Sequence, residues 1–205
     1  MRRRAPFDLM VIVDPRIGGV LDGLARLSEA TGGERIAIQL RAKDASDAEL
    51  ISLARHVAAV QPAMSRLLVN GRVEVARAIA ADGVHLPESG VQVRDVRASM
   101  PDGALVGASC HDERSVRDRE SEDCDYVLLG PLGEVPDKPA MRDEDFAQIA
   151  RAANVPVLAL GGIDSELAAA RAITLGAAGI AVQRALLDPH GAAWMARWLA
   201  GRIAE

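Results

Sequence analysis

A closed barrel of eight parallel strands and eight helices, the (β/α)8 fold, as a single domain over residues 1–205, is the architecture this sequence predicts. Three observations carry the prediction. Short apolar runs alternate with helix-period segments about eight times, at a spacing of roughly 20–25 residues that suits one strand–helix unit each. No change in composition marks a linker, and a hydrophobic content of 49% is enough to bury a sizeable core. Aromatic residues make up only 2%, so the core is built from Ala, Val, Leu and Ile, which suit close packing of helices on a parallel sheet. A doubly wound open sheet is the alternative. Against it, no G-x-G-x-x-G follows the first strand, and the unit count is high.

The units follow in order. Leu9–Val13 is an apolar run stopped by Asp14-Pro15, and Val20–Ala30 is helical in period with Thr31-Gly-Gly33 past its last turn. Arg35–Arg41 is the second strand, and capping residues at Asp44–Asp47 open a helix over Ala48–Val60 that stops before Pro62. Arg66–Val69 leads into the turn signal Asn70-Gly71 and a helix at Val73–Ala80. Gly83–Leu86 is broken at Pro87, with Val91–Ser99 helical after it. Ala104–Ser109 precedes a charge-laced helix at His111–Ser121, and Asp125–Leu129 precedes a proline-bearing loop at Gly130–Arg142. Asp143–Ala153 is helix. The seventh unit is Val155–Ile163, an apolar run closed by Gly161-Gly162, with a helix at Ser165–Leu175. Gly179–Val182 is the eighth strand, and Ala192–Ile203 closes the chain as a helix carrying Trp194 and Trp198 one turn apart.

A net charge of −5 argues against a general nucleic-acid or membrane-surface binder. The basic start Met1–Arg4 is short and reads as a solvated tail. No apolar run approaches the ~20 residues of a membrane helix. Cys110 and Cys124 fall in different elements and form no metal or redox motif. The expectation is a cytoplasmic protein without a nucleic-acid or membrane partner. Pairing of exposed barrel helices into a homodimer is left open.

In such a barrel, chemistry belongs at the strand C-termini and the loops after them. The polar residues that interrupt the apolar runs gather there: Asp14, then Gln39, Arg41 and Lys43, then Asn70, His85 and Glu88, then Ser109 and His111, Lys138, Gly161 and Gly162, and finally Gln183 and Arg184. A glycine pair running into a helix N-terminus offers backbone N–H groups to an anion. The loops after the seventh and eighth strands are also where barrels commonly hold phosphate. A tight turn explains Gly161-Gly162 equally simply, and Arg184 adds either a charge-assisted contact or an exposed cation. Arg41 and Lys43 suit a second anion or a diphosphate, or form a solvated basic pair. His85 lies between apolar neighbours and reads as a barrel-interior histidine. His111 begins a helix, where the imidazole's neutral form is favoured for use as a base or donor, or is simply a surface residue. Lys138 lies in the long loop, either on a lid or in solvent.

The ordered set Gln39-Leu-Arg-Ala-Lys43, Asn70-Gly-Arg-Val-Glu-Val-Ala76, Ala81-Asp-Gly-Val-His-Leu-Pro87, Gly107-Ala-Ser-Cys-His111, Asp125–Pro131 with Lys138, and Ala159–Ile163 resembles the thiamine-phosphate synthase/thiazole tautomerase (TenI-like) family over nearly the whole chain. The resemblance implies a (β/α)8 barrel binding a thiazole phosphate, its phosphate on the glycine pair and the eighth-strand loop. Synthases of the family join a hydroxymethylpyrimidine diphosphate to the thiazole phosphate, with magnesium held by two aspartates. The matching positions here are Gly71 and Gly90, and Glu88 is out of register. The Asn-Gly-Arg-Val and His-Leu-Pro-x-Ser segments look instead like the tautomerase branch, which aromatises a thiazole carboxylate phosphate by moving a proton. That branch has a catalytic histidine directly after Gly130, where this chain has Pro131. The resulting expectation is a tautomerase with no metal or other cofactor, its base at His111 or His85 and Lys138 alongside. The alternatives are a magnesium-using synthase and a non-catalytic binder of thiazole or thiamine phosphate.

Overall fold

The structure, a computed structural model, describes residues 4–136 and 138–204. Most of the basic tail, residues 1–3, lies outside the described residues, as does residue 137 in the long loop. The strands are β1 (Leu9–Val13), β2 (Ile36–Leu40), β3 (Arg66–Asn70), β4 (Gly83–Leu86), β5 (Leu105–Cys110), β6 (Tyr126–Leu129), β7 (Val157–Leu160) and β8 (Gly179–Val182). They alternate with helices α1 (Val20–Ala30), α2 (Asp47–Ala58), α3 (Val73–Ala78), α4 (Val93–Ser99), α5 (Glu113–Ser121), α6 (Asp143–Ala152), α7 (Glu166–Thr174) and α8 (Gly191–Ile203). A short 3-10 helix, Arg184–Leu187, precedes α8. Each strand pairs in parallel with the next, and β8 returns to pair with β1. The barrel is closed, which rules out the open-sheet alternative.

The continuous apolar runs follow from this closure, because both faces of every strand are covered. Alternate residues divide into two cores. Phe7, Met10, Ile12, Ala37, Leu68, Tyr126, Leu128, Leu158 and Ala181 form one cluster that fills the barrel. Leu9, Val11, Val13, Ile36, Ile38 and Leu40 belong to the larger layer between strands and helices. That layer also takes Trp194 and Trp198, the core-facing pair expected of the last helix.

Several ends differ from the sequence expectation, each for a local reason. β2 begins one residue later because Arg35 turns into the left-handed region at φ 65. There its guanidinium holds Asp8 through two hydrogen bonds of 2.8 and 2.9 Å. α3 stops before Ala80, which sits at φ 51. α5 begins at Glu113 rather than His111, because Asp112 takes the N-cap position and accepts from the Ser115 amide at 2.7 Å. α4 begins at Val93 rather than Val91 because the Glu122 carboxylate caps the Val93 amide at 2.7 Å.

With so few aromatic residues, the interior is filled by one ring in particular. Tyr126 lies fully buried, edge-on to Phe7 with ring centroids 4.8 Å apart. Its ring crosses the position where residue 107 would carry a side chain. A Cβ added at Gly107 would stand 2.0 Å from Tyr126 Cζ. Replacing Gly107 by Ala therefore forces the ring out of its place, and the overpacking is expected to cost about 1–3 kcal/mol. Urea unfolding should show a lower midpoint at unchanged slope.

Candidate functional site

The strand C-termini bring several of the expected residues to one end, at different depths. Gln39 is buried inside the barrel, its amide 3.5 Å from the Met10 sulfur. Asn70 closes β3 and is half-buried. His85 on β4 is fully buried, with Nδ1 3.1 Å from the Tyr126 hydroxyl and Nε2 2.9 Å from Ser109 Oγ. Ser109, one residue before the end of β5, is half-buried. These contacts make a polar file running up the barrel interior, from Tyr126 through His85 to Ser109. Arg41, half-buried just past β2, donates its amide to the Val13 carbonyl at 2.8 Å. Its charge, with that of Arg119, adds to burial in pushing the His85 pKa down to about 3. Lys43, Gln183 and Arg184 are exposed at the rim. Asp14 is tied to Arg16 at 2.7 Å, and this bond holds its carboxyl below the usual range.

A second cluster stands beside the mouth. The Nδ1 of His111 is hydrogen-bonded to the Gly130 carbonyl. A carbonyl only accepts, so Nδ1 carries a proton, and in the neutral ring the lone pair lies on Nε2. That nitrogen faces the Lys138 ammonium at 3.4 Å and the Glu88 carboxylate at 3.8 Å. His111 precedes the N-cap of α5 rather than starting the helix. Both side chains line a cavity of about 580 Å³ on the flank of the barrel end, with Pro131, Met141, Gln148 and Ile149.

The loop from Gly130 to Arg142 is anchored at its base. Leu132 and Gly133 donate to the carbonyls of Leu160 and Gly161, each at 2.9 Å. The glycine pair is shaped by this crossing. Gly161 and Gly162 lie at φ 97 and φ 65. A Cβ on either would stand 2.6 Å from Pro131 or Gly133 atoms. Two causes thus demand glycine there, the left-handed backbone and the loop lying on it. An anion contact is a third possible use.

The loop between β4 and α4 is held by a residue the sequence reading passed over. Arg119, buried on α5, donates to the carbonyls of Pro87 at 3.2 Å and Glu88 at 2.9 Å, and pairs with Glu122 at 3.1 Å. Its only sequence signal was a cation three residues before an acid in a charge-laced helix. Tyr126 was also missed as a site neighbour, although period two from Leu128 turns it inward.

The divalent metal that the family resemblance implies for a synthase needs hard oxygen donors. The two positions are Gly71 and Gly90, which have none, and the nearby Glu88 carboxylate turns toward His111. Among the described residues no group of three or more His, Cys, Asp or Glu side chains is arranged to hold a metal ion. These residues do not fit such an ion.

Fold and site together define an enzyme of the (β/α)8 class with cations and a fixed histidine at its strand ends. A family profile described as thiamine monophosphate synthase matches residues 9–186, and the chain belongs to that family. A putative thiamine-phosphate synthase of Geobacter sulfurreducens is 34% identical over 192 residues, covering 91% of this chain and 90% of that protein. A thiamine-phosphate synthase of Anaeromyxobacter dehalogenans is 36% identical, covering 92% and 88%. One from Methanoculleus marisnigri is 34% identical, covering 97% and 96%. A solved structure titled thiamine phosphate pyrophosphorylase, from Pyrococcus furiosus, superposes with a TM-score of 0.82 at 25% identity, covering 98% and 97%. These names support the transferase alternative and give the tautomerase expectation no support. The place of the chain in thiamine biosynthesis stands.

The buried histidine generates a test. In the unfolded chain an imidazole takes up a proton near its ordinary 6.5, whereas folded His85 does so only near 3. Between those values the unfolded state binds the extra proton, so the contribution of neutral His85 is present above 6.5 and lost as pH falls. From about pH 7.5 to about pH 5.5, wild-type protein should lose about 1.4 kcal/mol more stability than His85→Gln, measured by denaturant titration. Equal losses would mean that His85 is not held neutral.

Proposed function

We propose that this chain is a thiamine-phosphate synthase-type transferase, joining a hydroxymethylpyrimidine diphosphate to a thiazole phosphate. The observation that carries the reading is the placement of cations at the strand C-terminal end of the barrel, Arg41 and Lys43 after β2 and Lys138 on the loop after β6. A diphosphate gathers negative charge as it leaves, and cations at the strand ends meet that charge with charge-assisted hydrogen bonds. The names of relatives at 34–36% identity over nine-tenths of the chain support the same reading. In it, Arg41, Lys43 and Lys138 hold the diphosphate. Gln39, Asn70 and Ser109 supply neutral hydrogen bonds at the mouth. Gly161 and Gly162, with Gln183 and Arg184 after β8, receive the thiazole phosphate. No step is assigned to a metal, since Gly71 and Gly90 carry no ligating side chain.

A second reading, proton transfer on a thiazole carboxylate phosphate, is favoured by one observation. The hydrogen bond from His111 Nδ1 to the Gly130 carbonyl leaves Nε2, directed at Lys138 and Glu88, as the nitrogen that can exchange a proton. The two readings separate on purified protein given each substrate set, with products followed by mass spectrometry and NMR. The transferase reading expects thiamine phosphate to form, with Lys138→Ala slowing it by about 10²–10³-fold and His111→Ala by much less. The proton-transfer reading expects the aromatic thiazole instead, and a loss of about 10²–10⁴-fold in His111→Ala. Binding of thiazole phosphate or thiamine phosphate without turnover of either set would overturn both in favour of a binding protein.

A further inference from the structure

Three polar groups inside the barrel form a file that ends at the candidate site: the Tyr126 hydroxyl, the two nitrogens of His85, and Ser109 Oγ. Their protons can be placed. Tyr126 and His85 are fully buried, and among the described residues His85 Nδ1 is the single hydrogen-bond partner of the phenol. A buried O–H requires an acceptor, so the phenol donates to Nδ1. A neutral imidazole has one N–H, which then lies on Nε2 and points at Ser109 Oγ, 2.9 Å away. Neutrality is secured by burial and by the charges of Arg41 and Arg119, which lower the imidazole's affinity for a second proton. With a lone pair of its oxygen occupied from below, Ser109 has its own proton free for whatever lies above it.

We propose that Tyr126 and His85 are positioning residues that set the polarity of the Ser109 hydroxyl, presenting its O–H as a donor to a ligand oxygen at the barrel mouth. The opposite arrangement, with Nδ1–H directed at the phenol, would draw the Ser109 proton down to Nε2 and offer a ligand only lone pairs. For an anionic ligand the difference is that between a hydrogen bond and a repulsion. The ring of Tyr126 thus acts at a distance from the ligand, through one imidazole. His85 is assigned no proton transfer, since the file needs its tautomer only to persist. The ligand end of this inference rests on the proposed function. The tautomer end does not.

The test has two arms. In the ligand-free protein at neutral pH, nitrogen NMR of the His85 ring should show a pyridine-type signal at Nδ1 and a pyrrole-type signal at Nε2, and Tyr126→Phe should mix the two. A pyrrole-type Nδ1 in the wild type, or an unchanged ring in Tyr126→Phe, overturns the relay whatever the protein binds. Hydroxymethylpyrimidine diphosphate titrated by calorimetry should bind Ser109→Ala about ten- to a hundredfold more weakly than wild type, and Tyr126→Phe about tenfold more weakly. The double variant should be no weaker than Ser109→Ala, because the tyrosine acts only through the serine. Additive losses would make Tyr126 a packing residue and overturn the proposal. Failure of wild-type protein to bind hydroxymethylpyrimidine diphosphate would count against the proposed function, and the ring signals would still decide the relay.

Discussion

The ring of Tyr126 occupies the space where residue 107 would carry a side chain, and the barrel interior is built around that exclusion. A barrel of eight strands leaves just enough room for side chains to fill. Most strands here contribute small or aliphatic groups, such as Ala37, Leu68 and Ala181, and the rings of Tyr126 and Phe7 take up the remaining room. Tyrosine brings a hydroxyl with it, and a hydroxyl buried without a partner costs about 1–3 kcal/mol. His85 answers that need and creates another at its second nitrogen, which Ser109 answers in turn. The packing demand at the base of the barrel is thereby converted into a polar group at its mouth.

A second close approach of backbones shapes a neighbouring part of the same end. The loop after β6 lies on the glycine pair after β7, joined to it by main-chain hydrogen bonds and by contacts that leave no room for a Cβ. The loop is therefore not free along its length. Its base is part of the β7 turn, and its far part brings Lys138 to His111. Any ligand group seated on the glycine pair would sit beside a segment covalently continuous with that lysine. Under the proposed function, this couples the thiazole-phosphate end of the site to the cation that meets the diphosphate.

Much of this was legible in the sequence. The eight units could be read because parallel strands buried on both faces leave continuous apolar runs, as at Leu9–Val13, and because glycines and prolines punctuate them. The gathering of Arg41, Ser109, His111 and Lys138 at one end followed from strand polarity alone. Contacts between distant units were not legible. Nothing local to Gly107 announces the Tyr126 ring, and nothing in the helix carrying Arg119 says that its guanidinium reaches back some thirty residues to Pro87 and Glu88. The glycine pair was read for its openness to an anion, whereas its nearest neighbour is the protein's own loop. The sequence pattern puts His111 at the start of a helix, and the claim of Asp112 on the N-cap places it just before that start.

The loop between β4 and α4 shows how the departures at Gly71 and Gly90 leave a formed site. A guanidinium as buried as that of Arg119 has lost its water and needs an acceptor for each N–H it turns inward. The carbonyls of Pro87 and Glu88 supply two, and Glu122 supplies a carboxylate that also caps α4 at Val93. The conformation of this loop is therefore fixed by a cation belonging to the protein and does not wait for one brought by a ligand. The same clamp holds the backbone from which Glu88 extends toward His111. A cation of the chain thus holds this loop from within, while Arg41, Lys43 and Lys138 stand at the strand ends. Under the proposed function, those three are the side chains that meet the charge of an anionic substrate.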